Sequence, residues 1–421
     1  MSSAPKSLVV PQVRSWSWAL AGQASQVLGQ AAAFILVARA LPVAEMGVFI
    51  GITALTSILG PFTGMGSGNL LIKYVARDGA AFGERWSKLL GTTLLSASVL
   101  CLMAVLVCRQ ILRAAIPWYA IALLVIADLL LWRWPYMVGL TLQGLGEINR
   151  KSQLEILIVC MRLAAATLLF ALPGSYHQVR TWALIYFGAA CIVASACLVW
   201  TLRQWGKPKA FQAQSGRDLK EGLWFVVSPA TQTINNDVDK LLLARMASLS
   251  VAGIYGAAYR VLSASFLPVQ ALLTVTYPQF FQEGSKGVRE TARYAARWLP
   301  LALGYSLAAG VALFVAAPII AGILGPEYAQ SASVLRQLAV LPLIKAFQYF
   351  LADALTGADF QALRVGLQCV AAALNVALNL LWIPTFGWQG AVWATLVCDG
   401  GLALLLIITV VTLRRHGSQP W

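Results

Sequence analysis

Apolar residues run through this chain in long blocks, not in the two-residue alternation of a half-buried strand or the narrow stripe of a surface helix. A helix of about 20 apolar residues spans the hydrocarbon core of a bilayer. The sequence holds twelve such blocks: 16–38, 48–71, 89–108, 118–143, 154–172, 182–202, 222–247, 254–280, 298–324, 335–356, 364–384 and 391–413. No gap between them accommodates a soluble domain. The longest, 203–221, is polar and contains Gly206, Lys207, Pro208, Lys209 and Gly216. The pattern predicts an all-α polytopic membrane protein with about 12 transmembrane helices. Lys6 and Arg14 precede the first block as in a signal peptide, but the block continues to about Val37. It is therefore read as a retained first span.

The blocks repeat. Residues 35–49, ILVARALPVAEMGVF, align without gaps to 241–255, LLLARMASLSVAGIY, at an offset of 206. Leu36/Leu242, Ala38/Ala244, Arg39/Arg245 and Gly47/Gly253 are identical, and the register reaches back to Gln26/Gln232 and Gln30/Asn236. The offset passes six blocks, so both halves have the same orientation, related by a pseudo-two-fold along the membrane normal. The expected organisation is a six-helix lobe over 1–203, a cytoplasmic linker over 204–221 and a second six-helix lobe over 222–421. Gly47 and Gly253, each at the start of a span, are expected to permit a tight turn.

Composition agrees with a lipid solvent. The 421 residues are 59% hydrophobic and 11% charged, against about 45–50% and about 25% in soluble domains. The net charge of +15 does not indicate nucleic acid, because the basic residues are scattered over short loops and form no basic helix face. Their distribution orients the chain instead. One side carries Lys6, Arg14, Lys73, Arg77, Arg85, Lys88, Arg150, Lys151, the five cations of 203–220, Lys286, Arg289, Arg293, Arg297, Arg364, Arg414 and Arg415. The other carries Arg39, Arg109, Arg113, Arg180 and Arg336. Both termini are thus expected in the cytoplasm.

The seven cysteines lie in apolar runs, without a CxxC or a histidine pair, and read as packing residues. The only histidines, His177 and His416, fall outside the spans. With no Ser–His–Asp set and no GxxxxGK loop, the chain is not expected to be an enzyme or to bind a cofactor or metal. A coupling ion, proton or sodium, is left open.

Ionisable groups inside spans cost at least about 2.5–3.5 kcal/mol each and ask for a reason. Among them are Asp128, Arg133, Arg162, Asp237, Asp239, Lys240, Arg260, Lys345, Asp353 and Asp399. In span seven, Gln232, Asn235 and Asp239 follow i, i+3, i+7 and share one face. Gln23, Gln26 and Gln30 repeat the spacing in span one. Such stripes either join helices or line a wet lumen. Asp239 and Lys240, neighbours about 100° apart around the helix, are expected to neutralise each other poorly. Arg133, between Trp132 and Trp134, has cation–π packing as its alternative to a lumen role. Asp353, near a span end, is expected to snorkel towards water. Asn375 and Asn379, at i, i+4, suit sugar hydroxyls or another helix. Pro61, Pro135, Pro229, Pro268 and Pro342 interrupt spans.

At these junctions the chain resembles the polysaccharide flippases of the multidrug/oligosaccharidyl-lipid/polysaccharide exporter superfamily. The resemblance rests on the glutamines of span one and on the junction Ala38-Arg39-Ala40-Leu41 through Gly47-Val48-Phe49. It rests further on Asp239-Lys240-Leu241-Leu242-Leu243 and on the GxYxxAYR-like run Gly253 to Arg260. The length and two-lobe layout are similar throughout, without the extra C-terminal span pair of the lipid II flippases. The resemblance implies translocation of an undecaprenyl-pyrophosphate-linked oligosaccharide from the cytoplasmic to the periplasmic leaflet. Its partners would be that lipid-linked oligosaccharide, membrane lipids, and a polysaccharide polymerase with glycosyltransferases. Arg133, Arg162, Lys240, Arg260 and Lys345 would form a cationic lumen for the pyrophosphate. Gln26, Gln30, Gln232, Asn235, Asp237, Asp239, Asn375 and Asn379 would supply polar walls or ion coupling. A cation-coupled multidrug exporter of the same superfamily is the alternative. A membrane polysaccharide polymerase or ligase fits less well, because the longest loop on the outer side is only about 325–334.

Overall fold

The structure is a computed structural model that describes residues 28–75, 82–112, 116–145, 147–206, 213–284 and 286–416. The described residues form helices and no strands. In chain order these are α1 (Leu28–Ala40), α2 (Val43–Leu59), α3 (Ser67–Val75), α4 (Phe82–Ile111), α5 (Trp118–Ile126), α6 (Arg133–Gly144), α7 (Ile148–Ala171) and α8 (Val179–Trp205). They continue with α9 (Gly216–Met246), α10 (Leu249–Ser265), α11 (Leu267–Gly284), α12 (Val288–Leu324), α13 (Ser331–Leu338), α14 (Leu341–Gly357), α15 (Gln361–Phe386) and α16 (Trp388–His416). The protein is a polytopic all-α membrane protein.

Among the described residues, eight helical stretches are long and apolar enough to cross a membrane, or ten if two bent pairs each count as one span. The expected twelve differ by the first and seventh. Most of the first block lies outside the described residues. The seventh is α9, whose 31 residues reach about 46 Å but carry too many polar side chains to qualify by hydropathy. The bent pairs are α10 with α11, at 43°, and α13 with α14, at 42°. The interrupting prolines explain where several spans break. Pro61 lies in the 3₁₀ turn Gly60–Phe62. Pro135, Pro268 and Pro342 sit in the first turns of α6, α11 and α14, where an absent N–H removes no helical bond. Pro229 lies inside α9.

The helix boundaries repeat as the sequence does. α2 and α10 begin and end 206 residues apart, as do the ends of α1 and α9 and the starts of α4 and α12. From there the shift grows by seven residues: the starts of α5 and α13, the ends of α6 and α14, and the starts of α7 and α15 are 213 apart. The π-helical turn Ala127–Leu131 in span four falls where α13 and α14 are broken in span ten.

By contacts the chain divides into two compact units. The first comprises the residues up to Leu41 with Leu55–Val226; the second comprises Pro42–Ala54 with the residues from Val227 onward. The first unit packs Leu71, Trp86, Leu89, Trp134, Val138 and Leu142 in an apolar core. In the second, Phe266, Phe280, Phe350 and Ala354 form one cluster and Leu355, Leu402 and Leu406 another.

Gly47 and Gly253 do not make tight turns. Both lie inside helices, where α2 and α10 cross so closely that side chains are excluded. A Cβ on Gly47 would stand 1.6 Å from the Leu249 carbonyl oxygen, and one on Gly253 would stand 2.5 Å from that of Val43. A second such approach joins the start of α3 to α9 in the first unit. Gly64, Met65 and Gly66 adopt positive φ angles of 80°, 47° and 75°, and a Cβ on Gly66 would meet the Gly222 carbonyl at 2.2 Å. The end of the linker is docked on α4 here as well: Arg85 holds Asp218 at 3.1 Å, and Thr92 Oγ1 accepts from the Gln214 backbone N–H at 2.9 Å.

Candidate functional site

The polar face of α9 is the seed of a buried network in the second unit. Asp239 is fully buried. Its Oδ2 accepts a 2.5 Å hydrogen bond from the Tyr255 hydroxyl on α10, which also lies 3.3 Å from Thr395 on α16. Its Oδ1 accepts from the Lys240 backbone N–H at 2.7 Å and lies 3.4 Å from Lys240 Nζ. The two neighbours therefore do neutralise each other. The lysine stem folds back towards the preceding turn, where Nζ donates to the Asn236 carbonyl and to Asp237 at 2.9 Å. It also lies 3.6 Å from the centre of the Tyr259 ring.

Asn236 links this cluster to a second ion pair. Its Oδ1 accepts from Lys345 Nζ on α14 at 2.8 Å and from the Tyr259 hydroxyl at 3.2 Å. Lys345 in turn faces Asp399 on α16 at 3.5 Å. Within its own span Lys345 has no acid partner; the partner comes from another helix. Asp399 is further held by Asn235 at 3.0 Å and by Gln348 through both its carboxylate and its carbonyl. Gln232 donates to the Tyr349 hydroxyl at 2.6 Å. A cavity of about 30 Å³ borders this network, with Asn235 and Gln368 in its wall. Their side-chain oxygens Oδ1 and Oε1 are buried without a protein partner, so the space suits an ordered water.

Gln232, Asn235, Asp237, Asp239, Lys240 and Lys345 are thus brought together, as one joint of four helices. Sequence reasoning missed Asn236, Tyr255, Tyr259, Gln348, Tyr349 and Thr395, and it noted Asp399 without assigning it to the site. Both Tyr255 and Tyr259 lie in the GxYxxAYR-like run at i, i+4, which is the signal that could have found them. Asn375 and Asn379, both fully buried on α15, bond chiefly to each other. Asn379 Nδ2 donates to the carbonyl and to Oδ1 of Asn375, each at 2.8 Å, and Asn375 Nδ2 and Asn379 Oδ1 have no partner. Asp353 does not snorkel: it is buried and paired with Arg364 at 3.3 Å, because α15 returns its first basic turn to the end of α14. Arg260 and Gln30 are exposed, and Gln26 lies outside the described residues.

The remaining two predicted cations belong to the first unit and rest on aromatic rings. Arg162 on α7 lies 4.6 Å from the Trp132 ring and 6.0 Å from that of Tyr186. Arg133 on α6 lies over Tyr136 at 4.4 Å, so its ring partner is one turn on and not a flanking tryptophan. The Nε atoms of both are buried without a hydrogen-bond partner, and among the described residues neither forms an ion pair with a carboxylate. Asp128, on the π-helical turn, accepts from Thr56 and Tyr186 at 2.7 Å each. At the 213-residue shift, Trp132 corresponds to Lys345. Where the second unit has that lysine, the first has an aromatic ring, 5.8 Å from that of Tyr186.

The sequence profile of the family described as polysaccharide biosynthesis protein matches residues 12–283. No protein of curated function matches the chain. Among solved structures, the chain is similar to a multidrug resistance MATE family transporter of the MOP superfamily in an inward-facing conformation. That match has 15% identity and a TM-score of 0.72 and covers 93% of this chain and 96% of the other. The outward-facing conformation of a multidrug resistance MATE family transporter matches with a TM-score of 0.62 at 16% identity, covering 96% of each chain. An MOP superfamily transporter from Pyrococcus furiosus, described as having a binding pocket of reverse polarity that suggests a different function, matches with a TM-score of 0.63 at 17% identity. That match covers 96% of this chain and 95% of the other.

Proposed function

The chain belongs to the polysaccharide biosynthesis protein family, has the fold of the MOP superfamily transporters, and we propose that it is a flippase. It carries an undecaprenyl-pyrophosphate-linked oligosaccharide from the cytoplasmic to the periplasmic leaflet of a bacterial inner membrane by alternating access. The observation that supports this reading is the pair Arg133 and Arg162. Each places a guanidinium in a membrane-spanning helix without an ion pair to a carboxylate among the described residues, although Asp128 shares the Tyr186 ring with Arg162. Aromatic faces offset only part of the cost of such a charge, since a cation–π contact contributes about 0.5–2 kcal/mol. A visiting dianionic group supplies the rest, and a guanidinium can grip two phosphate oxygens at once.

The alternative, a cation-coupled exporter of small amphipathic drugs, needs acidic groups free to meet a cationic substrate. Asp239 and Asp399 are the acids to consider, and each already has a lysine and further donors around it. Those acids fit ion coupling better than drug binding. The family's association with polysaccharide supports a glycan-bearing substrate over a drug.

Purified protein in liposomes tests the reading. A lipid-linked oligosaccharide with a labelled sugar should become accessible from the opposite leaflet, and a fluorescent cationic drug should not be moved. Drug efflux without glycan translocation would refute it. The orientation is tested separately by reporters at Gly216 and His416, expected cytoplasmic, and at Gln330, expected periplasmic; Gly216 and Gln330 in one compartment would overturn the span count.

A further inference from the structure

The first unit contains a groove of about 330 Å³ between the ends of α6, α7 and α8, a volume in the range of ordinary ligand sites. Leu142, Leu154, Leu157, Cys197 and Trp200 form its walls, and Arg150 and Gln153 stand at its mouth. The polar and apolar parts are layered along α7. Arg150 lies in the first turn of the helix, and Leu157 lies about 10 Å deeper along the axis.

The layering matches the edge of a bilayer. The loop charges assign this end to the cytoplasmic side, and Lys151 and Arg203 add positive charge to it. Trp200 and Trp205, both partly exposed, meet ring to ring here, as aromatic residues gather at headgroup depth. An open apolar groove at that depth is filled by hydrocarbon, not by water. Arg150 Nη1 holds Glu147 at 2.8 Å while the side chain is 49% exposed, so the guanidinium is kept at the mouth and remains accessible.

The Arg150 charge is not a requirement of the fold. At the 213-residue shift of α6 and α7 the wall positions stay apolar: Leu142, Leu154 and Leu157 correspond to Leu355, Leu367 and Val370, and Leu355 and Leu367 share an apolar cluster in the second unit. Arg150 and Gln153, however, correspond to Leu363 and Gly366. Apolar walls follow the repeat and Lys151 is matched by Arg364, whereas Arg150 and Gln153 are particular to the first unit.

We propose that this groove is a binding site for an anionic phospholipid of the cytoplasmic leaflet. Its phosphate sits against Arg150 with Gln153 as a further donor, and one acyl chain lies along Leu154, Leu157 and Trp200. The site lies within one unit and does not depend on the glycan reading. Bound lipid would hold the ends of α7 and α8 together, giving membrane composition a direct hold on the protein.

Native mass spectrometry of the delipidated full-length protein tests the proposal, with phosphatidylglycerol, phosphatidylethanolamine and soluble glycerol 3-phosphate added separately. One phosphatidylglycerol per chain should survive activation that strips phosphatidylethanolamine, and glycerol 3-phosphate should not be retained. Arg150→Gln should weaken phosphatidylglycerol retention about five-fold, the contribution of one cation near an anionic surface. Leu157→Trp, at a position already 46% exposed, should fill the groove and abolish retention with little change in the unfolding midpoint. If that variant unfolds early, Ala196→Trp replaces it. Equal retention of the two phospholipids would overturn the proposal, as would retention of glycerol 3-phosphate or unchanged binding in the Arg150 and groove-filling variants.

Discussion

Removing the Lys345–Asp399 pair one side at a time gives a direct measure of what the second unit's network does. The charges are 3.5 Å apart, with side chains only 13% and 1% exposed. At an effective dielectric of about 20, Coulomb's law gives an attraction of about 5 kcal/mol at that distance. Lys345→Met leaves Asp399 charged and buried, with only Asn235 and Gln348 donating to it. Asp399→Leu leaves Lys345 with only Asn236. Each single change should cost about 3–5 kcal/mol, because an unpaired buried charge remains. The double variant removes both charges and should cost about 2 kcal/mol or more less than the sum of the singles. The assay is reversible unfolding in mixed micelles, with translocation per folded molecule measured in parallel. If the pair also takes part in transport, the double variant recovers folding and not translocation. Single costs under about 1 kcal/mol that simply add would refute the buried-pair account.

Further expectations concern other joints of the fold. Gly47→Ala should destabilise by at least about 1–3 kcal/mol, because its Cβ meets backbone that cannot turn aside. Gly188→Ala in α8, with open space around it, should stabilise slightly; equal unfolding midpoints for the two variants would contradict the crossing. Asp239→Asn should reduce transport while the protein still inserts, and Tyr255→Phe should do so more mildly. Transport per folded molecule unchanged in Asp239→Asn would make that residue structural glue. Burial alone would push the Asp218 carboxyl up, but Arg85, Ser215 and Lys88 outweigh it and hold it below its ordinary value of 3.8. Its stabilisation is therefore present above that value and lost as pH falls through the lower folded pKa. Proteolysis of the 204–221 segment should rise with acidification in that window in the native protein, and Asp218→Asn should show the higher rate already at pH 7; the same acid-induced rise in Asp218→Asn would contradict this.

Much of the architecture was readable because lipid imposes long apolar blocks, which survive any uncertainty about packing. The repeat was legible at Arg39/Arg245 and Gly47/Gly253, where two short junctions carry the same residues without a gap. Beyond α12 a seven-residue change in spacing hid it, and the helix boundaries restore the correspondence as far as the starts of α7 and α15. The role of Gly47 was misread because a glycine at a span start and one at a helix crossing look alike until the second helix is in place. The site was half legible. Gln232, Asn235 and Asp239 share a face by spacing alone, but Lys345 and Asp399 are on different helices and their pairing is a property of packing. Tyr255, Tyr259 and Tyr349 escaped because a tyrosine in an apolar block counts as hydrophobic until its hydroxyl meets a carboxylate or amide.

The central claim is that positive charge in the first unit receives the pyrophosphate of a lipid-linked glycan. It is tested most directly by neutralising Arg133 and Arg162 together to glutamine. Export of the glycan would be measured in a strain lacking its own flippase and normalised to folded protein in the membrane. The account predicts that export falls at least about ten-fold, the loss of one charge-assisted phosphate contact or more, and that restoring lysine at either position recovers part of it. Export at the unmodified level from the doubly neutralised protein would contradict the account and return both arginines to packing against their aromatic rings.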